Sequence, residues 1–120
     1  MQKFNFSYDK ENDDLFLYNP KSKSKGSVEL GNVILDFNNK KELVGIEIIN
    51  ASLLIKDLIN EQNQKMVKEV LENLKECNID IKIGNNILIL KLFLVSNVKE
   101  ISPVFSVPAI QKTSPALVYA

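Results

Sequence analysis

The chain has 120 residues, with 15 lysines against 15 aspartates and glutamates and no formal net charge, and 45% apolar content is enough for one domain with its own core. It contains no His and no Arg, which removes the usual general base near neutral pH, the commonest transition-metal ligand and the guanidinium fork that grips phosphates and carboxylates. Cys77 is the single cysteine, so one copy can build neither an internal disulfide nor a cysteine zinc site, and a reducing cytoplasm is the expected compartment.

Phe4, Phe6 and Tyr8 alternate with Asn5 and Ser7, the period-two pattern of a strand. Asp9 to Asp13 is turn chemistry, and Leu15 to Tyr18 is the returning strand of a hairpin, stopped by Asn19-Pro20. Lys21 to Gly26 is a polar loop. Val28 to Phe37 predicts a third strand with a bulge at Leu30-Gly31-Asn32. After the turn Asn38 to Glu42, Leu43 to Ile49 completes an antiparallel meander of four strands. Ser52 is placed as the N-cap of a helix whose apolar face is Leu53, Leu54, Leu58 and Ile59. Asn60 to Asn63 interrupts it. Met66, Val67, Val70, Leu71 and Leu74 give a second amphipathic helix, with Asn78 after Cys77 as a left-handed C-cap.

A second β section follows. Ile79, Ile81 and Ile83 alternate with Asp80 and Lys82, and Gly84-Asn85-Asn86 is a tight-turn signal. Ile87 to Val95 is apolar at every position but Lys91, which predicts a strand covered on both faces. It is far shorter than the ~20 residues of a membrane span, and the N-terminus shows no signal-peptide core, so no membrane association is expected. Pro103, Pro108 and Pro115 restrict the tail to extended or edge structure. The apolar ending Ala116 to Ala120 is expected to dock on the fold or on a partner. The order strands, helices, strands is an α+β pattern. Residues 1–62 form the meander and first helix, and residues 63–120 a helix and β extension packed into the same unit.

Four constellations bear on chemistry. Asp9, Glu11 and Asp13 have the one-three-five spacing of a calcium loop, but Asp14 stands where it needs Gly and Pro20 where it needs Glu. The reading is a solvated turn in which Asp9 bonds the local backbone. Lys21, Lys23 and Lys25 could meet phosphates, yet without interleaved aromatics and with no net charge, nucleic acid is not an expected partner. Alternation places Leu43, Gly45, Glu47 and Ile49 on one face and Val44, Ile46 and Ile48 on the other. Glu47 would then pair with a cross-strand lysine, or approach Asp36 on the neighbouring strand. Two close carboxylates shift each other's pKa and could hold a metal or act as acid and base, so Asp36 and Glu47, with Tyr8, are the metal or small-ligand candidates. Cys77 falls near a helix C-terminus, where the dipole disfavours a thiolate.

Tyr8-Asp9, Asp13-Asp14-Leu15-Phe16-Leu17, Val33-Ile34-Leu35-Asp36-Phe37 and Val44-Gly45-Ile46-Glu47-Ile48-Ile49-Asn50-Ala51-Ser52 together resemble the prokaryotic domain of unknown function 2283 over residues 4–60. The chain departs from that pattern at Asp14, where a small residue is usual, and in the turn Asn38 to Glu42, which lacks the usual glycine. The resemblance implies a small β-rich fold and supplies no catalytic residue. Some members look like partners in toxin–antitoxin gene pairs, which implies a protein-binding role. Gly45, Ala51 and Ser52 are then a structural motif joining strand to helix. The expected function is a non-enzymatic interaction module without a cofactor, acting as a homo-oligomer, by default a C2 dimer, or with a small protein partner. A metal or small-ligand domain using Asp36 and Glu47 is the alternative.

Overall fold

The computed structural model describes residues 1–108. The alternating residues at the start form β1 (Gln2–Asp9), which returns as β2 (Asp14–Tyr18), as the pattern predicts. The expected third strand is instead two, β3 (Gly26–Leu30) and β4 (Val33–Phe37). Leu30 pairs with Val33, so Gly31-Asn32 is a two-residue turn and not a bulge. Gly31 takes φ 63°, a left-handed conformation open to glycine at little cost, and this lets the chain reverse at once.

β5 (Leu43–Ile48) pairs with β4 on one side and β2 on the other. The order is β3-β4-β5-β2-β1, which corrects the sequential meander. The loop after β2 carries the chain past the place that β5 later fills. It is pinned where Asn19 N–H donates to Val44 O (2.9 Å) and Lys25 N–H to Phe37 O (2.7 Å). The edge of β2 stays open until β5 closes it, and Leu15 and Leu17 are buried opposite Ile48 and Ile46.

The bulge occurs elsewhere. Asp36 faces Gly45 and Phe37 faces Leu43, so Val44 is the extra residue. This reverses the expected parity at one end of β5. Leu43 joins Ile46 and Ile48 in the core, while Val44 lines an outer-face hollow with Asp36.

Helix α1 (Ala51–Leu58) begins two residues earlier than expected. Asn50, at φ 55°, is the N-cap residue and makes no side-chain cap, so Ser52 lies inside the first turn. Ala51, Ser52 and Ile55 are the buried side, and Leu54 and Ile59 pack against the core. Leu53 and Leu58, expected inside, are 46% and 39% exposed. Each residue turns a helix by about 100°, so where the first turn is fastened decides which leucines face inward. Helix α2 (Gln64–Glu72) buries Val67, Val70 and Leu71, and Asn63 caps it by accepting from Met66 N–H. It ends at Asn73 and not at Asn78. Residues Leu74–Gly84 are β6, where Asn78 pairs with Lys3 and Phe93. Leu74 continues the helical spacing, but a ladder with β7 (Ile87–Ser96) along nearly the whole strand overrides that local pattern.

β7 also pairs with β8 (Glu100–Ile101) and β9 (Val104–Pro108). The Gly84–Asn86 turn forms as expected, and proline-flanked β9 lies at an edge. Leu88, Leu90, Leu92 and Leu94 are buried, whereas Ile87, Ile89, Phe93 and Val95 are half-buried. The strand is therefore covered on one face only. Neighbouring strands close its edges, and the core side chains close its inner side. The expectations for Pro115 and for Ala116 to Ala120 fall outside the described residues.

Both β sections belong to one antiparallel sheet through β1, whose residues 2–4 pair with β6 and residues 5–9 with β2. The fold is α+β, with two helices and one core drawn from both sections and from Ile55, Val67, Val70 and Leu71. Cys77 sits within it on β6, between Phe4 and Leu94, and not at a helix end. Burial, and secondarily the charge of Glu76, pushes its thiol up to about 12. Native Cys77 should react with a disulfide reagent at pH 8 at least about a hundredfold more slowly than the urea-unfolded chain, as a protonated, enclosed thiol must. Equal rates would show an open thiol.

Candidate functional site

Asp13 ends the first turn in a left-handed conformation, φ 56°. This directs its carboxylate at the joint between β5 and α1. It accepts from the Tyr8 hydroxyl (2.6 Å), from Ser52 N–H (3.1 and 3.2 Å to its two oxygens) and from the Ser52 hydroxyl (2.7 Å). Its backbone oxygen accepts from Ala51 N–H (2.8 Å). Gln64 Nε2 donates to Ser52 Oγ (2.9 Å), which ties α2 to the same point. The first-turn N–H groups that a local cap would satisfy are thus met by a residue 39 positions earlier, and its negative charge suits a helix N-terminus. Tyr8 has its phenol raised above the ordinary range by burial first, then by its hydrogen bond to Asp13 and the charges of Asp13, Glu72 and Asp9. Sequence reasoning met Asp13 only as part of an incomplete calcium spacing. No periodicity signals a cap from so far away.

Asp9 behaves as expected. It accepts from Asn12 Nδ2 (2.8 Å) and from the Asn12 and Glu11 N–H groups, and the Asn12 bonds hold its carboxyl below the ordinary range. It faces its own turn while Asp13 faces the helix.

Asp36 and Glu47 share the outer face of the sheet but do not stand opposite each other. Asp36 faces Gly45 and Ser27, and Glu47 faces Phe16 and Ile34. No lysine lies opposite Glu47, which corrects the expected cross-strand pair. Asp36 accepts from the Ser27 hydroxyl, and its other oxygen leans over Gly45. A Cβ at Gly45 would stand 2.9 Å from that oxygen, so the glycine makes room for Asp36. Tyr8 is paired with buried Leu15 and bonded to Asp13, so it does not join Asp36 and Glu47. Among the described residues, no three of His, Cys, Asp and Glu gather to hold a metal ion.

The same face has a distinctive composition. Strands β2 to β5 contain Asp14, Glu29, Asp36 and Glu47 and no lysine, and their register puts all four acids outside. Phe16, 39% exposed, stacks on Tyr18 with ring centroids 5.1 Å apart. Phe16, Tyr18, Val44 and Asp36 line a hollow of about 220 Å³. Among the described residues, no helix is long and apolar enough to cross a membrane.

An α+β domain with a mostly antiparallel sheet is the class this fold defines. The family described as "Protein of unknown function (DUF2283)" matches residues 5–52, the stretch that holds Tyr8, Asp13 and Ser52. An uncharacterized protein of Methanocaldococcus jannaschii is 36% identical over 101 residues, covering 82% of this chain and 80% of that protein. A Methanosarcina mazei protein named "Putative hypoxanthine phosphoribosyltransferase" is 34% identical over 89 residues, 72% of this chain and 65% of its own length. Over residues 5–52 the chain belongs to the DUF2283 family, and over most of its length it is related to the Methanocaldococcus jannaschii protein. No solved structure matches.

Asp13→Ala should destabilise the fold by about 3 kcal/mol in urea unfolding, since it leaves a buried serine and an uncapped helix turn. Tyr8→Phe should cost less. A phenol raised in the folded state stabilises fully below about pH 10 and loses that contribution as pH climbs further. The stability gap between wild type and Tyr8→Phe should therefore narrow above pH 10. Gly45→Ala should cost about 1–2 kcal/mol, and much less in an Asp36→Ala background. A double-mutant cycle without coupling would show that the close approach is unimportant.

Proposed function

We propose that this chain is a non-enzymatic cytoplasmic interaction module that binds a basic protein segment on the outer face of β3-β4-β5-β2-β1. The observation that carries this reading is four outward carboxylates without a lysine on strands β2 to β5, in a chain whose charges balance in total. Such a face concentrates negative potential and steers a cationic partner. The exposed Phe16–Tyr18 stack adds an aromatic surface of the kind that anchors interfaces. The alternative, a metal held by Asp36 and Glu47, is less well supported because Asp36 already accepts from Ser27. The phosphoribosyltransferase name is not carried over, because this chain spans only 65% of the protein that bears it.

Half-buried Ile87, Ile89, Phe93 and Val95 on the other β section favour a second reading, self-association through the outer face of β7. Sedimentation of the full chain tests both. A lysine-rich peptide should co-sediment in low salt and release as salt rises, and Asp36→Asn with Glu47→Gln should weaken it. Retention in that double variant would defeat the acidic-face reading. Ile89→Lys should shift any dimer to monomer, and a monomeric wild type would remove the second reading. Mg²⁺, Mn²⁺ and Zn²⁺ should leave the melting temperature unchanged, whereas a rise would restore the metal alternative.

A further inference from the structure

The loop after β2 and the turn between β4 and β5 come together beside the hollow at Asp36, and Ser22 lines both. Between them is a cleft of about 390 Å³, lined by Lys21, Lys23, Lys25 and Lys40 together with Ser22 and Asn39. Both walls are fastened by bonds from main-chain N–H groups, mostly to asparagine side chains. Asn19 Oδ1 accepts from Lys21 N–H (3.0 Å), and Asn19 O accepts from Ser22 N–H (3.2 Å). On the other side Asn38 Oδ1 accepts from the N–H groups of Lys40 and Glu42, each at 2.9 Å. Glu42 is the one acid in the lining, and its carboxylate accepts from Asn38 Nδ2 (3.0 Å). Among the described residues the ion pairs are Lys3–Glu76 and Lys56–Asp57, so none neutralises the four cleft lysines.

We infer that this cleft binds a small phosphorylated molecule through a diphosphate group. Four exposed lysines line the cleft against one engaged carboxylate, and this net positive lining favours an anion of more than one charge. Lysines act as compact point charges that suit phosphate oxygens without the planar geometry of a guanidinium. The cleft lies in the size range of small-molecule sites. Its lining has no aromatic side chain, and so no platform on which the bases of a single-stranded nucleic acid would stack. A diphosphate therefore fits better than a polynucleotide. The lysine alternation is visible in sequence, but the approach of Lys40 and Asn39 to it is not.

Isothermal titration calorimetry of the full chain at fixed ionic strength tests this with inorganic pyrophosphate, a nucleoside diphosphate, inorganic phosphate and a single-stranded RNA. Saturable binding of pyrophosphate, tighter than phosphate, is the expected result. Equal affinity for the nucleoside diphosphate would identify the diphosphate as the recognised part, and a gain would add the nucleoside. Lys23→Gln with Lys40→Gln should raise the dissociation constant at least about tenfold, with an unchanged circular dichroism spectrum. Lys65→Gln with Lys68→Gln on the exposed side of α2 should leave it unchanged. No saturable heat with either diphosphate, or an equal loss in the α2 variant, would overturn the proposal. RNA binding tighter than both diphosphates would replace it with a nucleic-acid surface.

Discussion

The carboxylate of Asp13 is the constraint on which the rest of the arrangement depends. It joins the first hairpin turn to the start of α1, and through Ser52 and Gln64 it reaches α2. A charged acceptor holding three donors in a partly buried place is worth more than neutral hydrogen bonds, and leaving its partners unmet costs more still. Fastening the first turn also sets the rotation of α1. Ile55 then turns inward, and Leu53 and Leu58 turn toward solvent. Asn50 can adopt its left-handed conformation without a side-chain cap because the cap arrives from across the fold.

A second constraint is the divided use of β1. Its first residues complete the ladder with β6 and its last complete the one with β2. One strand thereby joins two β sections, whose inner faces share a single core with the helices. The outer faces differ because nothing in the packing obliges them to match. The β2–β5 face is acidic with an aromatic stack, while β7 presents half-buried apolar residues.

Charge is neutral in total and segregated in space. The hollow beside Asp36 and the lysine cleft lie on either side of the same loop, and Ser22 lines both. That loop also carries the chain past β5, so the topology that breaks the meander separates the two charged surfaces. An anion on one side and a cationic segment on the other would meet surfaces of opposite sign within one β section.

The sequence by itself determined the fold class, the first hairpin, the Gly84–Asn86 turn, the exclusion of the proline-bearing tail from a central strand and the amphipathic face of α2. Each of these depends on period, turn chemistry or proline, which act over a few residues. It also marked Gly45 as part of a structural motif, although not that Asp36 is the neighbour it makes room for. Only the tertiary structure decided that β5 lies between β4 and β2, that Val44 is a bulge, that Leu74 and Cys77 leave the helical pattern for a strand, and that β7 is covered on one face. These depend on which edges remain open and which ladders close, at separations local patterns do not encode. The candidate surfaces divide in the same way. The acids and lysines are legible one by one, but the faces they share are set by register, and the part played by Asp13 is set by a contact across 39 residues.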